Sequence, residues 1–311
     1  MISIGKLVYM ICLKCKQEVG DGISKYGLHM DCYTSWFKVS AEDDFVSLTQ
    51  RSSESTDPEN NVSQENTSFF HGKFKKYSAD LASESYIIKM REEKEAPELP
   101  EVEYVCNQIA HILGLPIPDY YYIDFYDQRV FVTKVFIKKN SGSVNLEHIY
   151  KFRPDDKHTC EALADVIGKT TNRPYDVEVF YNTVLFDALV GNHDRHGRNL
   201  AFLVTPSKMI LSPIYDNVSY LSLVAGEMLR ADFKPTGRIA TSETKEPTMT
   251  DYVKELKRLD QLELIQTFFN KVKMSKIEDL INESFCSDLM KTALKALISK
   301  RYQEFKSGLQ N

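Results

Sequence analysis

The sequence predicts an α+β fold in two lobes, a β-rich first lobe and a mainly helical second lobe. Three observations carry this. Between residues 68 and 137, short runs rich in Tyr, Phe, Ile and Val are broken at Gly72 and at Asp127-Gln128, the pattern of hairpins. One periodic segment, 99–113, interrupts them with apolar residues at Val102, Val105, Cys106, Ile109, Ile112 and Leu113, the spacing of a helix. After residue 150 helical periodicity dominates, apart from two short runs at 199–204 and 209–217. With 311 residues, 42% apolar and 11% aromatic, the chain can bury a sizeable core.

Taken in order, residues 1–50 read as a small Cys-rich unit with turns at Gly20, Gly22 and Gly27. Cys12, Cys15, His29 and Cys32 form a Cys₃His set on two short arms, which suits tetrahedral zinc. The same residues are compatible with a metal-free unit in which the cysteines are small core groups. Residues 51–68 are polar and almost free of apolar side chains, the composition of a flexible linker. The first lobe is expected over 69–136. It holds a strand and return around Gly72, a β-rich run at 83–90 that includes Lys89, and the helix opening at Leu99-Pro100 and closed by Gly114. A hairpin, "DYYYIDFY" and "RVFVTKVFI", follows. The second lobe, 137–311, is expected to carry helices at Thr159–Lys169 and Asp176–Val190, a small hairpin joined at Thr205–Lys208, and further helices over 251–310.

The net charge of −5 and the pI of about 5.9 argue against a nucleic-acid surface covering the whole protein, and no direct nucleic-acid partner is expected. No stretch approaches the roughly 18 consecutive apolar residues of a membrane span. No small-residue cleavage site follows the short apolar run near the start, so no signal peptide is read there. Cys106, Cys160 and Cys286 are isolated, as buried thiols of a reducing compartment are.

The chemistry concentrates in "GNHDRHGRN", Gly191–Asn199, directly after a strongly apolar segment. Phosphoryl transfer needs a carboxylate near the attacking hydroxyl, oxygen ligands for Mg²⁺ and a lysine on the nucleotide phosphates. Protein kinases supply these in a set order: glycine turn, strand lysine, helix glutamate, D-x-x-x-x-N loop, then a second metal-binding Asp after a hairpin. Here Gly72, Lys89, Glu101 or Glu103, Asp194 with Asn199, and Asp216 stand in that order. Each piece alone is weak, since D-x-x-x-x-N arises by chance, Gly72 also suits a plain hairpin, and Asp216 in "YDN" suits a turn. The ordered set is stronger than its members. His193 and His196 read as structural or substrate-adjacent groups rather than metal ligands.

"GNHDRHGRNLAFLV", followed by "LSPIYDNVSYL", resembles the HipA-like serine/threonine kinases, toxins of bacterial toxin–antitoxin modules. "LPEVEYVCNQIAHILGLPIPDYYYI" is similar to the glutamate helix of that family, and the resemblance runs over roughly residues 68–255. The short region before the kinase core looks more like the HipT branch. The resemblance implies a two-lobed protein-kinase-like fold, ATP and Mg²⁺. It implies Asp194 as catalytic base, Asn199 and Asp216 as Mg²⁺ ligands, and Lys89 on the ATP phosphates with Glu103 as its ion-pair partner. Val135 and Phe136 fall where the hinge backbone meets adenine, and His196 and Arg198 would shape the catalytic loop. It further implies a protein substrate such as an aminoacyl-tRNA synthetase, an antitoxin partner from the same operon, and a bacterial cytoplasmic location, with export into a host as an alternative. One stretch departs from the family. Its phosphate loop reads S-x-S-G-x-Q-x-K, whereas "FFHGKFKK" keeps Gly72 and Lys76 but has Phe74 at the Gln position and Phe69 and His71 at the serine positions. Loop-serine phosphorylation switches the family off; here only Thr67, Ser68 and Ser78 are nearby, and self-phosphorylation is expected at Ser68 or the serines of 52–63. The departure keeps a nucleotide-binding pseudokinase in view. A lipid or small-molecule kinase is the remaining alternative, because that fold group shares these parts.

Overall fold

The described residues among the first fifty, 10–19 and 24–50, fold onto the same core as the lobe that follows them. The computed structural model describes residues 10–19, 24–51, 76–92, 94–137, 144–153, 158–197 and 199–310. Two short hairpins, β1 (Met10–Ile11) with β2 (Glu18–Val19) and β3 (Ser24–Lys25) with β4 (Leu28–His29), lead into helix α1 (Met30–Phe37). Strand β5 (Phe45–Arg51) then pairs with β6 (Lys76–Leu81). Arg51, the first residue of the expected linker, thus ends a strand, and 52–68 lie outside the described residues, as do Gly20, Gly22 and Gly72.

Strands β7 (Glu84–Lys89), β8 (Tyr120–Phe125) and β9 (Gln128–Lys134) complete an antiparallel sheet in the order β5-β6-β7-β9-β8. The period of two sorts β7: Tyr86 and Ile88 join the aromatic core under α1, while Ile87 and Lys89 face the cleft on the other side. The outer face is closed by α1, whose Phe37 ring stacks on Tyr121 at 4.0 Å and whose Trp36 meets the same ring edge-on at 5.3 Å. The hairpin turn sits at Tyr126-Asp127, one residue earlier than expected. Both residues are left-handed (φ 47° and 59°), the backbone whose twist matches the strands it joins. Gly27 is also left-handed (φ 73°), and a Cβ there would lie 2.5 Å from Asp124 Oδ2. Gly27→Ala is expected to destabilise the chain by at least about 1 kcal/mol, read as a lower urea midpoint.

Helix α2 (Leu99–Ile112) lies between the sheet and the second lobe, so almost its whole length is buried, and Gly114 (φ 76°) ends it. The second lobe begins with β10 (Asn145–His148), which the sequence did not announce: four residues carry too little period. It pairs with β11 (Ala201–Val204), which pairs in turn with β12 (Met209–Leu211). Between them run α3 (Cys160–Thr171), capped by the Thr159 hydroxyl accepting from the Ala162 N–H, and α4 (Pro174–Val190). Helix α4 is apolar on nearly every side and sits at the centre of the lobe, stopped by left-handed Gly191 (φ 72°). Helices α5 (Met249–Arg258), α6 (Leu262–Lys271), α7 (Met274–Asn282) and α8 (Asp288–Gln310) close around it.

The lobes are fastened on the side away from the cleft. Glu98, just before α2, accepts from both the N–H and the hydroxyl of Ser287 at 2.7 Å, and the Tyr122 ring stacks on Phe285 at 4.9 Å. Among the described residues no helix is long and apolar enough to cross a membrane.

Candidate active site

Lys89 is the last residue of β7, and register places Lys76, the first residue of β6, directly beside it. Both ammonium groups are buried and aim at one carboxylate, Asp216, which follows β12. Lys89 Nζ donates to Asp216 Oδ1 at 2.5 Å, and Lys76 Nζ lies 3.5 Å from Oδ2. Lys89 also donates to Glu103 of α2 in a short contact, and Nζ sits 5.7 Å over the Phe131 ring. Glu101 is the other carboxylate of that helix end. It turns away, receiving Arg91 and the Tyr122 hydroxyl, the latter at 2.5 Å. Two positions along a helix is about 200°, so the two glutamates cannot serve one site.

Charge in this cluster is balanced: two lysines against Glu103 and Asp216. Burial opposes ionisation of Asp216, but Lys76 and Lys89 outweigh it and hold that carboxyl well below the usual range. Burial works the same way against Lys89, and Asp216 and Glu103 overturn it, so its pKa is raised. Lys76 has the weaker partner geometry, and burial lowers it. Glu103 is raised by burial; its Oε2 is buried without a hydrogen-bond partner among the described residues. We therefore read Lys89 as permanently charged and Asp216 as permanently ionised. Asp216 has φ 54°, a left-handed position that a short polar side chain tolerates.

The loop after α4 is welded to the Asp216 turn by Arg195, which is 1% exposed. Its Nε donates to Asp187 Oδ2 at 2.8 Å and Nη2 to Asn217 Oδ1 at 2.6 Å. Nη1 donates to the carbonyls of Tyr215 at 2.5 Å and Asn199 at 3.3 Å. Asn192 adds a second tie: its amide donates to Asp187 Oδ1 and to the Asp216 carbonyl, and its Oδ1 accepts from the Asp194 N–H. Asn199 Nδ2 donates to the Asp194 carbonyl at 2.9 Å, so the two ends of D-x-x-x-x-N are in contact. Asp194 projects from this frame with its side chain 62% exposed, 3.8 Å from both His196 Nε2 and Arg238 Nη1. Gly197 is needed for packing, since a Cβ there would lie 2.1 Å from the His158 ring. His193 packs edge-on against Tyr220 at 4.7 Å. Arg198 and the loop of Phe69 to Phe74 lie outside the described residues.

Val135 and Phe136, past the end of β9, border a small apolar cluster between the lobes formed by Ile87, Ile137, Leu146, Ala201 and Tyr215. The Phe136 and Tyr215 rings are 6.1 Å apart. The cleft under it is lined by Lys89, Glu103, Phe131, Thr133, Tyr215 and Asp216. A larger cavity, about 660 Å³ beside Arg173, Glu178 and Glu263, contains none of these groups. Asp216 carries a carboxylate held ionised and Asn199 an amide oxygen, the kinds of oxygen donor that a hard cation takes.

A cleft between a five-stranded lobe and a helical lobe, with a strand lysine bridging a helix glutamate and an aspartate, defines a kinase-like fold. The chain belongs to the HipA-like C-terminal domain family, whose model matches residues 64–283. A protein of Sinorhizobium fredii, Y4dM, provisionally named a kinase, is 27% identical over 177 residues, 50% of this chain and 42% of that protein. The serine/threonine-protein kinase toxin HipA of Shewanella oneidensis is 24% identical over 184 residues, 49% of this chain and 40% of that one. The matches thus span about two fifths of the length of these curated relatives. Among solved structures, the Helicobacter pylori proinflammatory kinase CtkA superposes with a TM-score of 0.64 at 19% identity, covering 82% of this chain and 94% of CtkA. Shewanella HipA, solved with HipB and operator DNA, gives 0.57 at 15% identity, covering 94% and 77%. At these identities the superpositions show the fold alone.

Proposed function

We propose that this chain is an ATP- and Mg²⁺-dependent serine/threonine protein kinase of HipA type. One observation carries the reading: a single buried ammonium, Lys89, is shared by Glu103 of the first lobe and Asp216 of the second. That arrangement holds the Lys89 ammonium between the lobes, where it would meet nucleotide phosphates. The apolar rim of Val135, Phe136 and Tyr215 fits a purine. Asp216 and Asn199 would hold Mg²⁺, which when bound would supply charge neutralisation on the phosphates. Asp194 is exposed at the rim, where it can orient a substrate hydroxyl and take its proton. Its neighbours His196 and Arg238 add positive charge where phosphate charge moves. Arg195 and Asn192 are positioning residues: they fix the Asp194–Asn199 loop against the Asp216 turn. In this reading Gly72 belongs to the phosphate loop and Lys76 adds a second charge behind Lys89.

The relatives extend the proposal. As a HipT-like toxin the chain would phosphorylate a translation component such as an aminoacyl-tRNA synthetase in the bacterial cytoplasm, restrained by an antitoxin protein. The acidic net charge does not decide nucleic-acid contact, because the Shewanella HipA was solved together with HipB and operator DNA. The test is incubation with γ-labelled ATP in a bacterial lysate, followed by mass spectrometry of labelled proteins. Label on serine or threonine of a protein target is expected. Nucleotide-dependent thermal stabilisation without any incorporation would instead make the chain a nucleotide-binding module, the outcome that "FFHGKFKK" would explain.

A further inference from the structure

The cysteine cluster of the amino-terminal segment plays no part in phosphoryl transfer, yet the fold assembles it fully. The ligating atoms of Cys12, Cys15, His29 and Cys32 all lie within 4.8 Å of one another. Cys15 Sγ is 3.4 Å and Cys32 Sγ 3.9 Å from His29 Nδ1. A tetrahedral zinc with arms of about 2.0–2.3 Å has edges of roughly 3.3–3.8 Å, so these separations are close to those of a filled site. The imidazole is oriented for it. His29 Nε2 lies 3.0 Å from the Glu18 carbonyl, which can only accept, so the proton sits on Nε2 and the Nδ1 lone pair faces the sulfurs. Cys12 and Cys15 come from the β1–β2 turn, His29 from the end of β4 and Cys32 from the first turn of α1, and the two hairpins are too short to hold themselves together.

We propose that Cys12, Cys15, His29 and Cys32 bind one structural Zn²⁺, and that this ion fastens the β1–β2 hairpin and α1 onto the outer face of the first-lobe sheet. The route from metal to sheet is short. Cys12 and Leu13 are buried in the same aromatic core as Tyr86, Tyr121 and Phe131. His29 is followed at once by α1, whose Phe37 and Trp36 cover Tyr121. Lys14, between the two cysteines of the first arm, sits 5.9 Å over the Trp36 ring, and Lys16 reaches Glu283 of the second lobe at 2.7 Å. Trp36 is the single tryptophan of the chain, so its fluorescence reports whether the segment is docked. The inference is independent of the kinase reading.

The test uses the full chain. Elemental analysis is expected to find one zinc per molecule, and Co²⁺ in its place is expected to give the intense visible bands of tetrahedral thiolate cobalt. Cys15 is exposed, so Cys15→Ser leaves the packing intact and is expected to weaken zinc binding more than about 100-fold, beyond what losing an outer partner costs. Chelation should shift Trp36 emission to the red and lower the melting temperature of wild type, with no further effect in Cys15→Ser. Zinc at background level, together with absent cobalt–thiolate bands and chelator-insensitive Trp36 emission, would overturn the proposal and leave the cysteines as small core groups.

Discussion

Asp194→Asn is expected to leave the chain folded and to lower phosphoryl transfer by about 10²–10⁴-fold, the range a positioned general base supplies. The side chain is 62% exposed, and its neighbours His196 and Arg238 stand 3.8 Å away. Ion pairs that exposed contribute about 0–1 kcal/mol, so stability should hardly move. Asparagine keeps the shape but cannot take a proton. Asp216→Asn is expected to abolish transfer by a different route. It removes the anion that Lys89 meets at 2.5 Å and Lys76 at 3.5 Å, leaving two buried ammonium groups against Glu103 alone. A melting-temperature loss should accompany it, and Mg²⁺-dependent stabilisation by nucleotide should disappear. Asp194→Asn should retain that stabilisation. Melting curves with and without Mg²⁺–ATP, run beside a labelled-phosphate assay, separate the two. Undiminished transfer in both variants would rule the mechanism out.

The difference between these residues and the rest of the site explains what the sequence could reveal. Lys89, Glu103, Asp194, Asn199 and Asp216 can be picked out as candidates because kinases use particular groups in a particular chain order, and order survives in one dimension. Arg195, Asp187, Asn107 and Asn217 are not. Their roles are contacts between segments 8 to 110 positions apart, and nothing local distinguishes Arg195 from any loop arginine. The fold divides in the same way. Helix α2 announces itself by period and Gly114, α3 by period and its Thr159 cap, and α4 by a long apolar run closed by Gly191. Strand β10 has four residues and takes its identity from β11. The polar stretch after residue 51 suggested a boundary, yet β5 pairs with β6 across it, because pairing is decided by the partner edge and not by the composition of the connection.

Arg195→Met is expected to cost about 3–5 kcal/mol, although the residue touches no substrate. Its guanidinium is buried, and its five N–H groups serve Asp187, Asn217 and the carbonyls of Tyr215 and Asn199. Methionine fills the volume but strands the Asp187 carboxylate, which burial already pushes up and which Arg195 chiefly holds down. The loss runs further. Asn217 passes the network to Asn107 at 3.0 Å, and Asn107 donates to the Glu103 carbonyl at 2.8 Å, so Arg195 stands at one end of a chain reaching the Lys89 partner in the other lobe. Arg195→Lys should fare little better, because one ammonium cannot span both the carboxylate and the Tyr215 carbonyl. Adding Asp187→Asn to Arg195→Met removes the stranded charge. The double variant should therefore be more stable than the single Arg195 variant by about 1–3 kcal/mol, measured by urea unfolding, while transfer stays low because the Asp216 turn remains untethered. A single variant as stable as wild type, or a double variant whose losses simply add, would mean that the pair is not the keystone of this loop.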